Sequence, residues 1–144
     1  MIKILHSADL HLGARFHSLP PEEARARRQE QLAQLDQLVE LCREEGCQMV
    51  LLPGDLLDRP QGCREEALAL AKALEAMAVP VFIAPGNHDH LCPGSPYLER
   101  AWPGNVHIFT RQALESVTLP ELSCRVWGAG FQSMDCPGLL EGFR

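Results

Sequence analysis

Apolar positions follow two alternating rhythms along this chain. Ile2, Ile4 and Leu5 form a short apolar run that ends at His6 and Ser7, which predicts a buried strand over residues 2–6. A helical period follows over 22–45, with Leu32, Leu35, Leu38, Leu41 and Cys42 on one stripe. Pro20 and Pro21 precede it, Glu22 and Glu23 sit in its first turn, and Gly46 stops it. Residues 49–52 make a second apolar run, closed by Pro53 and Gly54. The helical period returns over 64–78 with Leu68, Ala71, Leu74 and Met77 on one face. Residues 80–84 form a third run, closed by Pro85 and Gly86. This order predicts an α/β fold, a right-handed βαβαβ unit with a parallel sheet. Beyond it, residues 106–109, 115–119 and 124–127 are short strand candidates with no comparable helix between them. They are expected to begin a second, mixed sheet layer, giving an incomplete α/β sandwich.

Composition narrows the class. The 144 residues fit one domain, and 46% hydrophobic with 22% charged residues is ordinary for a globular protein. That excludes collagen, coiled coil and general disorder. No run approaches the roughly 20 apolar residues of a membrane span, and Asp9 comes before any long apolar leader segment. Both features point to the cytoplasm. Cys42, Cys47, Cys63, Cys92, Cys124 and Cys136 contain no C-x-x-C pair and are expected to be reduced packing thiols. A net charge of −6 argues against a broad basic surface for nucleic acid. It leaves a local site open, because metal ions can supply positive charge.

Three polar clusters change the picture. Asp9-Leu10-His11, Gly54-Asp55-Leu56-Leu57-Asp58 and Gly86-Asn87-His88-Asp89 each follow a predicted strand. In a parallel sheet the strand C-termini share one edge, and ligands bind at that edge. Asp, His and Asn together suit Mn²⁺, Fe²⁺ or Zn²⁺. Taken singly, each cluster also reads as a turn or a cap. Three in this order, each after a strand, point to a built site.

The order D-x-H, G-D-x-x-D, G-N-H-D resembles the calcineurin-like metallophosphoesterases, and within them the SbcD-type DNA repair exonucleases. Residues 5–13, 51–58 and 81–89 carry the resemblance, with Ser95-Pro96-Tyr97-Leu98 and residues 105–109 adding to it. It implies two divalent metal ions, Mn²⁺ foremost, with Fe²⁺, Zn²⁺ or Mg²⁺ as alternatives. Asp9 and His11 would ligate the first ion, Asp55 would bridge both, and Asn87 would ligate the second. His88 would face the phosphate and protonate the leaving oxygen, with Asp58 orienting it. Asp89 would hold its own loop together. Arg59 and His90, beside these motifs, are candidate substrate contacts. His6, His17, His107 and the run Arg25–Arg28 read as structural or solvated residues. The family completes its site with a later single histidine and a G-H-x-H motif, and neither His90 nor His107 lies in one. Residues 1–144 are therefore expected to be the N-terminal part of a metallophosphoesterase domain, truncated before the C-terminal metal-binding histidines.

The expected function is metal-dependent phosphodiester hydrolysis by a DNA repair exonuclease subunit. DNA and an SbcC-like ATPase subunit are its expected partners, with self-association and no membrane contact. One alternative is a phosphatase or phosphodiesterase for small phosphate esters on the same metals. The other is an inactive truncated fragment that acts only in binding or association.

Overall fold

The computed structural model describes residues 1–139, 141 and 143. Strand β1 (Ile4–His6), helix α1 (Pro21–Glu44), strand β2 (Met49–Pro53), helix α2 (Arg64–Met77) and strand β3 (Val81–Ala84) follow in chain order. The three strands are parallel neighbours in that order, with Leu5 opposite Val50 and Leu51 opposite Phe82. This is the βαβαβ unit that the alternating rhythm predicts, with only the ends of the elements shifted.

Side chains alternate across the pleat, and each face of the sheet has its own core. Val50, Leu52, Val81 and Ile83 meet Leu35, Val39 and Cys42 of α1 and Leu70, Leu74 and Met77 of α2. Each buried Val, Leu or Ile side chain contributes about 1.5–3 kcal/mol. On the opposite face Met49 and Phe82 pack with Phe109 and Leu119. The stripe expected on α1 needs correction. Its buried positions are Ala24, Leu35, Val39 and Cys42, whereas Leu32 and Leu41 are 36% and 44% exposed. Leucines spaced by three drift around a 3.6-residue helix, and only the four-then-three spacing of Leu35, Val39 and Cys42 stays on one side. On α2 the expected stripe holds at Ala71, Leu74 and Met77, which are buried, and fails only at Leu68, which is exposed.

A second correction concerns residues 106–109. Strand β4 (Val106–Ile108) does not enter a second layer. It is the fourth parallel strand of the first sheet, with Val81 opposite Val106. A parallel crossover needs a dozen or more residues, but it does not need a long helix. The stretch between β3 and β4 supplies that length as loop plus a four-residue helix, α3 (Pro96–Glu99). The second layer is the antiparallel hairpin of β5 (Glu115–Leu119) and β6 (Cys124–Gly128). Its Val117, Cys124 and Val126 cover the sheet face opposite the helices. The six cysteines are unpaired thiols, with Cys42, Cys63 and Cys136 buried. Among the described residues, no helix is long and apolar enough to cross a membrane.

Candidate metal centre

The three polar clusters share the edge where β1, β2 and β3 end. Backbone pairing continues past the strands and lays the first cluster along the second. The Asp9 amide donates to the Gly54 carbonyl (3.2 Å), His11 to Asp55 (3.0 Å) and Leu12 to Leu56 (2.9 Å), and Asp58 donates back to Leu12 (3.0 Å). As a result Asp9, His11 and Asp55 each offer one ligand atom, and all three atoms lie within 4.8 Å of one another.

These three residues share a further property. Asp9, His11 and Asp55 have φ of 56°, 45° and 52°, in the left-handed region. Each such non-glycine residue costs on the order of 1–3 kcal/mol unless its surroundings hold it there. Asp and His tolerate the region better than most side chains. Here the interloop ladder does the holding. Two carboxylates and one imidazole, with no thiolate, form a donor set of the kind that takes Mn²⁺, Fe²⁺ or Zn²⁺. The residues present therefore fit a divalent cation.

The second and third clusters touch through glycine. A Cβ built on Gly54, which has φ +87°, would lie 2.9 Å from the Gly86 Cα. A Cβ on Gly86 would collide with the Asp55 carboxylate and lie 2.8 Å from its amide nitrogen. Any larger residue would push the loops apart. Asp55 Oδ1 accepts the His88 amide at 2.9 Å, which fixes the third loop on the same carboxylate.

Asp89 does more than hold its own loop. It is completely buried. Its Oδ1 accepts the amides of Gly86 (2.7 Å) and Asp55 (3.1 Å). Its Oδ2 accepts those of Leu56 (2.8 Å) and Leu57 (3.2 Å), and also the Tyr97 hydroxyl (2.6 Å). Burial, and after it the neighbouring Asp89 carboxylate, push the Tyr97 phenol well above its usual range, so it stays a donor.

The other expected site residues lie as follows. The His88 ring packs edge-on against His11, with centroids 4.9 Å apart. Asp58 was expected beside His88, but its Oδ1 lies 3.7 Å from His11 Nδ1. Among the described residues, no hydrogen bond joins Asp58 to His88. Arg59 is half-buried, with Nη1 4.0 Å from Asp58 Oδ2. Asn87 is half-buried beside Met134. His90 turns back into its own loop, with Nδ1 2.9 Å from the Asn87 carbonyl. His6 and His17 are exposed, and His107 packs on Phe82 and Phe109 as a strand residue. In the arginine run, Arg27 pairs with Glu30 (2.7 Å) on the exposed side of α1.

Two contributors have roles that the motifs do not assign. Gln31 of α1 donates from Nε2 to the carbonyls of Leu10 and His11, both at 3.2 Å. In the sequence it is one polar helix residue among many. Tyr97 is the chain's single tyrosine. A buried tyrosine requires a partner for its hydroxyl, and that requirement was the available signal.

Comparison with known proteins agrees with this geometry. The family profile described as "Calcineurin-like phosphoesterase" matches residues 2–129. A relative from Bacillus subtilis (strain 168), named "Uncharacterized metallophosphoesterase YhaO", is 34% identical over 115 residues, which is 76% of this chain and 28% of the relative. Two proteins named "DNA double-strand break repair protein Mre11" also match. The one from Aeropyrum pernix is 39% identical over 92 residues, covering 62% of this chain and 21% of its own length. The one from Halobacterium salinarum is 32% identical over 92 residues, covering 62% and 22%. The chain thus spans between 21% and 28% of the length of these relatives. With a profile match over most of its length and a metal-competent cluster at the sheet edge, the chain belongs to the calcineurin-like phosphoesterase family, a family of metal-dependent phosphoester hydrolases.

Proposed function

We propose that this chain carries the metal-binding loops of a phosphodiesterase that acts on DNA ends, an SbcD-like exonuclease subunit. The observation that carries the reading is the convergence of Asp9, His11 and Asp55 on strained backbone, with His88 packed against His11. Asp9 and His11 would hold a first divalent ion, Asp55 would reach both ions, and Asn87 would hold the second. Mn²⁺ is the proposed metal. When bound, such ions would supply positive charge that stabilises the phosphate as its bond to the leaving oxygen breaks. His88 is the residue proposed to give a proton to the leaving alkoxide. Its loop is tied by the hydrogen bond that the His88 amide donates to the Asp55 carboxylate, so donor and ligand keep a fixed relation. General acid catalysis of this kind contributes typically 10²–10⁴-fold. Arg59, close to Asp58 at the end of the second cluster, is the proposed phosphate contact. His90, with Nδ1 at the Asn87 carbonyl, is a second proposed substrate contact through Nε2.

Asp9, His11, Asp55 and Asn87 do not fill the coordination of two ions. The remaining protein donors are proposed to come from outside residues 1–144. β1 forms one edge of the parallel sheet, and its Ile4 is 44% exposed. An edge of this kind can pair with a further strand of the same protein or another copy. DNA as substrate is supported by the names of the Mre11 relatives, and an SbcC-like ATPase is the proposed partner. The net charge of −6 favours a second reading, hydrolysis of small phosphate esters at the same site.

The test compares turnover of single-stranded DNA, a cyclic nucleotide and a phosphomonoester, each with Mn²⁺. DNA should be the best substrate, and Asp55→Asn should remove bound metal and turnover together. Preference for the cyclic nucleotide or the monoester selects the second reading. An Asp55→Asn variant with full metal content and normal turnover refutes the bridging role.

A further inference from the structure

The loops that bear Asp55 and His88 leave different strands, and sheet pairing sets their relative height only as far as Pro53 and Ala84. Past that point one buried side chain joins them. Four of the donors on Asp89 are backbone amides of these two loops, from Gly86, Asp55, Leu56 and Leu57. The fifth, Tyr97, belongs to neither loop. Its own place is fixed independently. Ser95 caps α3 and accepts the Tyr97 amide at 3.4 Å. The Tyr97 ring stacks on Trp102 with centroids 5.6 Å apart and an interplanar angle of 27°. The Trp102 indole donates to the Pro96 carbonyl at 3.3 Å, and the Arg100 guanidinium lies over the Trp102 ring at 5.6 Å.

A packing aromatic needs no hydroxyl, and a loop staple needs no fifth donor. We infer that Tyr97 is a positioning residue for the metal centre. Its hydroxyl fixes Asp89 Oδ2, and Asp89 sets the amides of Asp55, Leu56 and Leu57 and with them the Asp55 carboxylate. The same carboxylate holds the His88 amide. A rigid stack outside the site thereby controls the spacing between the bridging ligand and the proton donor. The inference rests on the metal reading of Asp9, His11 and Asp55 and adds a determinant that motif and ligand chemistry leave out.

Tyr97→Phe tests it, because the ring and its stack remain and only the O–H is lost. Calorimetric titration with Mn²⁺ is the first readout. Affinity should fall about tenfold, the low end of the effect of removing an outer partner of a metal ligand. Amide hydrogen exchange is the second, and Leu56 and Leu57 should exchange faster while the cores of α1 and α2 do not. In turnover, kcat should fall with KM for the substrate unchanged. Trp102→Leu keeps the hydroxyl but frees the ring, and should weaken Mn²⁺ binding in the same direction by less. Unchanged Mn²⁺ affinity in folded Tyr97→Phe overturns the inference, as does a loss that only tracks the unfolded fraction. If Tyr97→Phe does not fold, wild-type affinity in Trp102→Leu overturns it. Absence of Mn²⁺ binding in the wild-type protein is read before any variant, and that result removes the metal reading and this inference together.

Discussion

The two sides of the candidate centre are held by different means. The loops after β2 and β3 are joined by a wholly buried carboxylate, a glycine–glycine contact and the Asp55–His88 bond. The loop after β1 lies at the sheet edge, where His6 and Asp9 are exposed. It is held by backbone bonds to its neighbour and by the Gln31 amide. One side is therefore a stapled block carrying Asp55 and His88, the residues proposed as bridging ligand and proton donor. The other copies the position of that block through a main-chain ladder. Precision at Asp9 and His11 is inherited from Asp55, so damage should spread from the block to the edge and much less in reverse.

Asp89→Asn should have the largest effect. A carboxamide keeps one accepting oxygen and turns an NH₂ group toward buried N–H donors. Each buried donor left unpaired costs about 1–3 kcal/mol, so a loss of about 3–5 kcal/mol is expected in denaturant unfolding, with Mn²⁺ binding lost as well. His88→Ala strikes the same block but spares its staples. It should keep metal and stability yet lose about 10²–10⁴-fold in turnover of DNA. The loss should shrink sharply for a nitrophenyl ester, whose leaving group needs no proton. An equal loss on both substrates would assign His88 to phosphate binding. Gln31→Ala, on the edge side, should cost least, about 1 kcal/mol, with a severalfold weaker hold on Mn²⁺. If Gln31→Ala proves as damaging as Asp89→Asn, the division into a rigid and a dependent side is wrong.

The first half of the fold was legible because short continuous apolar runs and period-3.6 stripes switch sharply at Met49, Arg64 and Val81. The sequence brought Asp9, His11 and Asp55 together because each sits just past a strand, where topology alone takes them to one edge, and it put Asn87 on the neighbouring loop. It did not carry the sheet assignment of β4. Three strand residues look alike in either layer, and only pairing with Val81 and Phe82 decides. The buried side of α1 was also blurred, because its leucines outnumber the positions that face the sheet. Asp89 and Tyr97 both lie in stretches the sequence singles out, but their full roles were not legible there. Asp89 accepts from Leu56 and Leu57 far back in the chain and from Tyr97 ahead of it, and no local pattern encodes such partners.

Those distant contacts also set an order of events during synthesis. Chains emerge N-terminus first and their domains fold as units. Asp9, His11 and Asp55 are all translated well before Tyr97, which closes the Asp89 bond network. While α3 is still within the ribosome, the staple behind the loop bearing Asp55 lacks its Tyr97 donor. Capture of an ion by these candidate ligands would then coincide with the docking of residues downstream of the three clusters. A nascent chain that stalls before residue 97 should leave cellular metal untouched.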